Sequence, residues 1–164
     1  MTQKARIYVA SPLGFSEIGR HFMYAKLIPA IEELGYTIID PWKLTSEESI
    51  RTVSSLPYGT EKKTHWAELN KLIGKNNADG IRKCSGLLAV LDGTDVDSGT
   101  AAEIGFAAAL GKPIIGYRGD FRTSGDNEGS VVNLQVEFFV KMHGGKIIRS
   151  LDEMKSALKA VIKS

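Results

Sequence analysis

The sequence predicts a doubly wound α/β domain, a parallel sheet with helices on both faces. Segments of strand length alternate with segments of helical periodicity along the chain. Residues 86–91 (GLLAVL) are apolar at every position, as befits a strand covered on both faces of a parallel sheet. Loop-forming residues follow the strand segments directly, and in such folds those loops gather a ligand site beyond the carboxyl ends of the strands. With 164 residues, 43% of them apolar, the chain is long enough for one substantial core and too short for two ordinary domains, so residues 1–164 are expected to form a single domain.

Taken in order, Ile7 to Ala10 is a short run of β-formers, and Ser11-Pro12-Leu13-Gly14 ends it. From about Glu17 to Leu34, Phe22, Leu27, Ile28, Ile31 and Leu34 recur at helical spacing, with Gly35 as the stop and Pro29 predicting a kink or a late start. Tyr36 to Ile39 is the second strand, ended by Asp40-Pro41. Residues 41–60 lack sustained periodicity and read as a long loop carrying one short helix, the kind of segment that often serves as a lid. Helical pattern returns from about Lys62 to Cys84, weakened by Gly74 and Gly80. After the third strand comes an acidic loop, Asp92 to Gly99, then a helix of small residues from Thr100 to Leu110. Pro113 to Tyr117 is the fourth strand. The polar loop Arg118 to Ser130 leads to an apolar helix over Val131 to Met142, a fifth strand at Lys146 to Ile148 and a last helix from about Leu151.

Composition excludes several classes of function. Twenty-one basic and 19 acidic side chains give a net charge of +2, spread without a basic patch, so nucleic acid is not expected as a partner. The single cysteine, Cys84, has no internal disulfide partner and no companions for a zinc site, which fits a reducing cytoplasm. His21, His65 and His143 show no metal-ligand spacing. The N-terminus has no signal-peptide h-region, and no apolar stretch approaches the roughly 18 residues of a membrane span. A cytoplasmic protein is therefore expected, with no membrane and no metal.

Three constellations carry candidate chemistry. Residues 91–105 (LDGTDVDSGTAAEIG) place Asp92, Asp95, Asp97 and Glu103 where a buried strand passes into a helix. A calcium loop is a poor match: counted from Asp95, the fifth position is Gly99 and no glutamate stands at the twelfth. Thr100 and Glu103 have the spacing of a capping box, which would make Glu103 a structural residue, and the aspartates could be plain turn formers. Against this, Gly99, Ala101, Ala102 and Gly105 leave the helix start nearly bare, open to a flat ligand. A helix N-terminus also favours an ionised carboxylate, the state a nucleophile requires. The second constellation, Ile7 to Ser16, contains Tyr8, Ser11 and Gly14 but neither a Walker motif nor a dinucleotide fingerprint. Tyr8 is read either as a core aromatic or as a catalytic aid, and Ser11 and Ser16 as turn and cap residues. The third joins Arg118-Gly119-Asp120-Phe121-Arg122 to Asp126-Asn127-Glu128 and Asn133, the last a polar amide in an otherwise apolar helix that needs partners, from the core or from a ligand.

Together these stretches resemble the nucleoside 2-deoxyribosyltransferase family, from the first strand to about Asn133. The resemblance rests on Tyr8-Val9-Ala10-Ser11-Pro12, on residues 91–100 with Glu103-Ile104-Gly105, on Gly119 to Arg122 and on Asn133-Leu134. It implies a flavodoxin-like fold, here with five parallel strands, and a homo-oligomer with shared active sites. It also implies transfer of a 2-deoxyribosyl group between a 2′-deoxynucleoside and a free nucleobase, as in nucleoside salvage, with no cofactor. Glu103 would be the nucleophile that forms a covalent glycosyl ester, Asp97 would hold the nucleoside and manage the proton on the base, and Tyr8 would orient Glu103. Substrate contacts would come from Ser11, Gly14, Asn77, Asp92, Gly99, Asp120, Phe121, Arg122 and Asn133, the last reaching a neighbouring subunit's site. One departure stands out: the family commonly has a further aspartate where this chain has Asn77, and Asp79, two residues on, cannot point the same way on a helix.

Two rival functions remain at this stage. One is hydrolysis of 2′-deoxynucleosides or their 5′-monophosphates, as in related N-glycosidases. Those usually carry a Gly/Ser/Arg-rich phosphate loop after the first strand, whereas here no arginine occurs before Arg20 in that region, which favours free nucleosides. The other is a non-catalytic nucleoside- or nucleotide-binding module.

Overall fold

The computed structural model describes residues 4–162. Five parallel strands, β1 (Arg6–Ala10), β2 (Thr37–Ile39), β3 (Gly86–Val90), β4 (Ile114–Tyr117) and β5 (Lys146–Ile148), form one sheet in the order β2-β1-β3-β4-β5. This is the flavodoxin-like order, and the predicted fold class holds. The chain reverses its direction of travel across the sheet between β2 and β3, so the carboxyl ends of β1 and β3 flank the switch point.

Alternation along the strands divides the core in two. Ile7 and Val9 of β1, with Leu88 and Val90 of β3, face one layer, made by α1 (Glu17–Phe22), α2 (Ile28–Glu32) and α7 (Leu151–Val161). Tyr8 and Ala10, with Leu87 and Ala89, face the other, made by α4 (Thr60–Lys83), α5 (Ser98–Ala109) and α6 (Leu134–Lys141). Tyr8 is thus the residue of β1 that looks toward α4 and α5.

The helix expected over residues 17–34 is built in three pieces. Between α1 and α2 lies a π-helical turn, Met23–Leu27, in which the Ile28 N–H bonds to the Met23 carbonyl. Pro29 is the second residue of α2, a first-turn position at which proline is tolerated. The loop expected over 41–60 contains the short 3-10 turn Pro41–Lys43 and α3 (Glu47–Ser55), capped by the Ser46 hydroxyl with Glu47 and Glu48 in its first turn.

Gly80 does not interrupt α4 and has a packing reason: a Cβ there would lie 3.1 Å from Ile39, Leu44 and the Tyr8 ring alike. Its absence lets α4 approach β1 closely. Two helix starts differ from expectation. α5 begins at Ser98 rather than Thr100, because Asp97 caps it. α6 begins at Leu134 rather than Val131, because the Asn133 side chain caps it by accepting from the Gln135 and Val136 N–H groups. Asn133 is a helix terminus and not a polar intrusion into a helix.

Arg118, at the carboxyl end of β4, is fully buried. Its guanidinium donates to the carbonyls of Leu91, Gly93 and Arg122, stitching the loop after β3 to the loop after β4. Among the described residues it forms no ion pair within 4 Å, and its hydrogen bonds all go to backbone carbonyls, while the Asp120 charge nearby also interacts with it. Arg118→Met keeps much of the volume but strands these carbonyls. A loss of about 2–4 kcal/mol is expected in urea unfolding, against well under 1 kcal/mol for an exposed arginine such as Arg51→Met.

Candidate active site

A cleft of about 390 Å³ opens at the switch point. The loop after β1 contributes Ser11 and Phe15, the turn after β2 contributes Pro41 and Trp42, and α4 contributes Asn70, Ile73 and Asn77. Asp97, Gly99, Thr100 and Glu103 come from the start of α5. Asn70, Ile73 and Asn77 follow the i, i+3, i+7 rule for one helix face, and on α5 Glu103 lies i+4 from Gly99 and i+3 from Thr100.

At the floor, the Tyr8 hydroxyl donates to Glu103 Oε1 at 2.6 Å. Burial and the Glu103 charge push the Tyr8 phenol well above its ordinary range, so it stays protonated and serves as a donor. Burial likewise pushes the Glu103 carboxyl above the ordinary glutamate value; the Tyr8 hydrogen bond partly reverses this, and the negative charge of Asp97 adds to it.

The capping-box reading of Glu103 is overturned. Asp97 Oδ2 accepts from the Thr100 N–H at 2.9 Å and from its hydroxyl at 3.2 Å, so Asp97 satisfies the helix start and Thr100 is committed to it. Glu103 lies one turn further in, where the backbone donors are already paired, and its carboxylate is left to Tyr8 and the cleft. Among the described residues, Asp97 Oδ1 makes no hydrogen bond.

The aromatic part of the cleft is built on Gly14. A Cβ at Gly14 would overlap the Trp42 indole, 2.1 Å from Cε2, so the ring lies directly on the Gly14 backbone. Trp42 donates through Nε1 to the Ser11 carbonyl at 3.2 Å, and Phe15 meets it edge-on with centroids 4.7 Å apart. Gly14 therefore acts from behind Trp42 and does not line the cleft.

Of the other expected contacts, Ser11, Asn77 and Gly99 line the cleft, whereas Asp92, Asp120, Phe121, Arg122 and Asn133 do not. Asp92 accepts from the Asp120 N–H at 2.9 Å, tying together the loops that Arg118 also ties. Asp120 is chelated by the Arg122 guanidinium, which holds its carboxyl far below the ordinary aspartate value. Phe121 is 90% exposed on the same loop. Asp79 points away from the cleft and pairs with Lys75 and Arg82. Sequence reasoning missed Phe15, Pro41, Trp42, Asn70, Ile73 and Thr100 as cleft residues. A signal was available for two of them, since Asn70 and Ile73 share a helical face with Asn77.

A cleft at the switch point of a doubly wound sheet, with a desolvated carboxylate in it, has the place and the chemistry expected of a small-molecule site. The sequence model for nucleoside 2-deoxyribosyltransferases matches residues 7–135, and the chain belongs to that family. No significant relative is found among curated proteins. Among solved structures, the chain is similar to a conserved protein from Enterococcus faecalis V583, with a TM-score of 0.70 and 22% identity over 96% of this chain and 99% of that one. It is also similar to the 2-desoxiribosyltransferase of Leishmania mexicana, with a TM-score of 0.62 and 22% identity over 97% of both chains. A third similar structure is the CMP N-glycosidase BcmB of Clostridium botulinum, with a TM-score of 0.55 and 18% identity over 94% of this chain and 98% of that one. At these identities the structural likeness concerns the fold. None of the described helices is long and apolar enough to cross a membrane, and no cluster of three metal-ligating side chains occurs among the described residues.

The electrostatics predict opposite effects of two conservative variants on the Glu103 titration, read by carbon NMR of the side-chain carboxyl. Tyr8→Phe removes the hydrogen bond and raises the midpoint. Asp97→Asn keeps a capping side chain but removes the charge, and lowers the midpoint. Stability follows from the same shift. The folded value lies above the unfolded value of about 4.3, so folded wild type binds the proton more tightly, and its stability falls as pH rises between those two values. Glu103→Gln carries no such charge. Its urea midpoint should exceed the wild-type midpoint at pH 7, with the gap closing below about pH 4.

Proposed function

We propose that the protein transfers the 2-deoxyribosyl group between nucleobases of 2′-deoxynucleosides by double displacement through Glu103. Ionised Glu103 attacks C1′, the C1′–N bond breaks, and its electron pair leaves with the base, which takes up a proton. The product of this half-reaction is a glycosyl ester of Glu103. A ring nitrogen of a second base then attacks C1′, the ester bond breaks, and the carboxylate returns as the new base sheds its proton.

The observation that carries this reading is the Tyr8–Glu103 pair: a carboxylate in a desolvated cleft, free of capping duty and steadied by a protonated phenol. Desolvation leaves the anion less stabilised than in water, while the 2.6 Å bond fixes one oxygen and leaves the other for substrate. Asp97, with Oδ2 spent on the helix start, has Oδ1 available to accept or pass on the proton of the base, directly or through water. The aromatic pair Trp42 and Phe15 offers an apolar surface for a flat base. None of these steps calls for a metal or redox cofactor.

The test is to incubate the protein with deoxyinosine and free adenine and separate the products by chromatography. Deoxyadenosine is expected. Hypoxanthine and free deoxyribose without exchange would instead mean that water is the acceptor, and absence of both reactions would leave a binding module. Glu103→Gln, whose amide oxygen still accepts from Tyr8, should lose exchange by at least about 10³-fold while staying folded; full activity in that variant would overturn the assignment. The acidic limb of the wild-type kcat/KM profile should lie above the ordinary glutamate value of about 4.3.

The family resemblance also carries the expectation of a homo-oligomer. Leu134 and Phe138 of α6 and Met142, the residue that ends it, recur every four residues and are each about half exposed, an apolar stripe that a second copy would cover. Light scattering should report an oligomer, and Phe138→Asp should shift it toward monomer.

A further inference from the structure

Taking Trp42 and Phe15 as the surface for a flat base, as proposed above, we infer that the Tyr24–Asp40 pair sets this aromatic wall, with Asp40 a positioning residue for Trp42. Asp40 directly follows β2 and is 7% exposed, and among the described residues it forms no ion pair within 4 Å. Its two oxygens serve two different elements. Oδ1 accepts from the Trp42 backbone N–H at 3.0 Å, which caps the 3-10 turn Pro41–Lys43, and Oδ2 accepts from the Tyr24 hydroxyl at 2.9 Å. Capping needs only one acceptor, which serine or asparagine could supply without burying a charge. The second oxygen ties the turn to Tyr24.

Tyr24 belongs to the π-helical turn Met23–Leu27, a geometry that is rare and collects at functional sites. Burial and the Asp40 hydrogen bond push its phenol up to about 12, so it remains a donor at neutral pH. Lys43, the last residue of the 3-10 turn, places Nζ 4.6 Å from the centroid of the Tyr24 ring. Tyr24 therefore holds the turn through both of its ends.

Trp42 needs such a hold because packing does not enclose it. It lines the active cleft and also a second opening of about 290 Å³, bounded by Gly14, Arg20, Tyr24, Lys43 and Glu47. The indole is a partition between two open spaces. Its Nε1 is tied to the Ser11 carbonyl, and Gly14 gives it a bare backbone to lie on, which does not stop it sliding. Fixing the backbone that bears the ring removes this freedom, so a base meets a wall already in place, and preorganisation of that kind appears as affinity. A platform touches the base in ground state and transition state alike. Loosening it therefore raises KM and leaves kcat nearly unchanged.

The test uses protein carrying Trp66→Phe, which leaves Trp42 as the sole tryptophan, and adds Tyr24→Phe, Asp40→Ala or Asp40→Asn in turn, with folding checked by circular dichroism. Acrylamide quenching of Trp42 fluorescence reads the hold in the free protein. Titration of deoxyinosine and of thymidine into the Glu103→Gln form reads binding without turnover. Tyr24→Phe and Asp40→Ala should each make Trp42 more accessible to acrylamide and weaken nucleoside binding about fivefold, the scale of one net hydrogen bond. Asp40→Asn, whose amide can accept from the Trp42 N–H and donate to the Tyr24 hydroxyl, should stay within about twofold of the parent. In the exchange assay with Glu103 intact, Tyr24→Phe and Asp40→Ala should raise KM about fivefold and change kcat by less than about twofold. Unaltered quenching and affinity in Tyr24→Phe, a loss that falls on kcat, or an Asp40→Asn as weak as Asp40→Ala overturns the inference. Should neither nucleoside bind the parent, the proposed function fails, and the acrylamide comparison alone then confirms or refutes the hold on Trp42.

Discussion

The hydrogen bond from Tyr8 to Glu103 joins residues 95 apart in sequence, and much of the architecture serves to make it possible. It requires β1 beside β3, so that α5, which follows β3, crosses the face toward which Tyr8 points. It requires α4 close enough to hold the Tyr8 ring, which the missing side chain of Gly80 allows. And it requires Asp97 to cap α5, because a cap formed by Thr100 and Glu103 would have turned the glutamate back on its own helix.

The site is held together at a cost to the fold. A carboxylate with a raised pKa is a group that folding has made harder to ionise, so the ionised protein is less stable than one bearing a neutral isostere would be. Tyr8 offsets part of that cost without abolishing it. Such a balance is what the proposed nucleophilic role would require: solvation strong enough to quench the anion would also make it unreactive, and no partner at all would leave its orientation loose. Rigidity around the site comes from elsewhere, chiefly from Arg118, which fastens the loops after β3 and β4 through backbone carbonyls and needs no side-chain partner to do so.

How much could be read from the sequence depended on whether local or distant contacts decide a feature. The run at 86–91 announces a central parallel strand because burial on both faces leaves no other composition possible, and β3 is found there. The start of α5 was drawn at Thr100 on its capping-box spacing to Glu103, although Asp97, three residues earlier, is an equally competent cap. In the structure Asp97 takes the cap, and Glu103 pairs instead with Tyr8, on a strand distant in sequence. Asn133 looked like a misplaced core amide only because the helix boundary was drawn three residues early; once Leu134 is the first helical residue, its side chain has an ordinary capping role. Trp42 was not legible as a cleft residue, since its place follows from β2 lying outside β1 in the strand order and from Gly14 being bare enough to receive the indole. The pattern at Asn70, Ile73 and Asn77 was present in the sequence, yet nothing local distinguishes a helix face that lines a cleft from one that meets water.

Asp97 and Glu103 are carried by a single short stretch of helix, and one of them fastens the first turn of that helix. Their mutual spacing is therefore set by local backbone geometry. The surfaces that would grip a base belong to other bodies, the turn bearing Trp42 and the long helix bearing Asn77. The two acids are thus mechanically separate from the walls that bear Trp42 and Asn77: a change in those walls leaves the distance between the acids undisturbed. Such a division lets one scaffold diversify its diet while its chemistry stays the same.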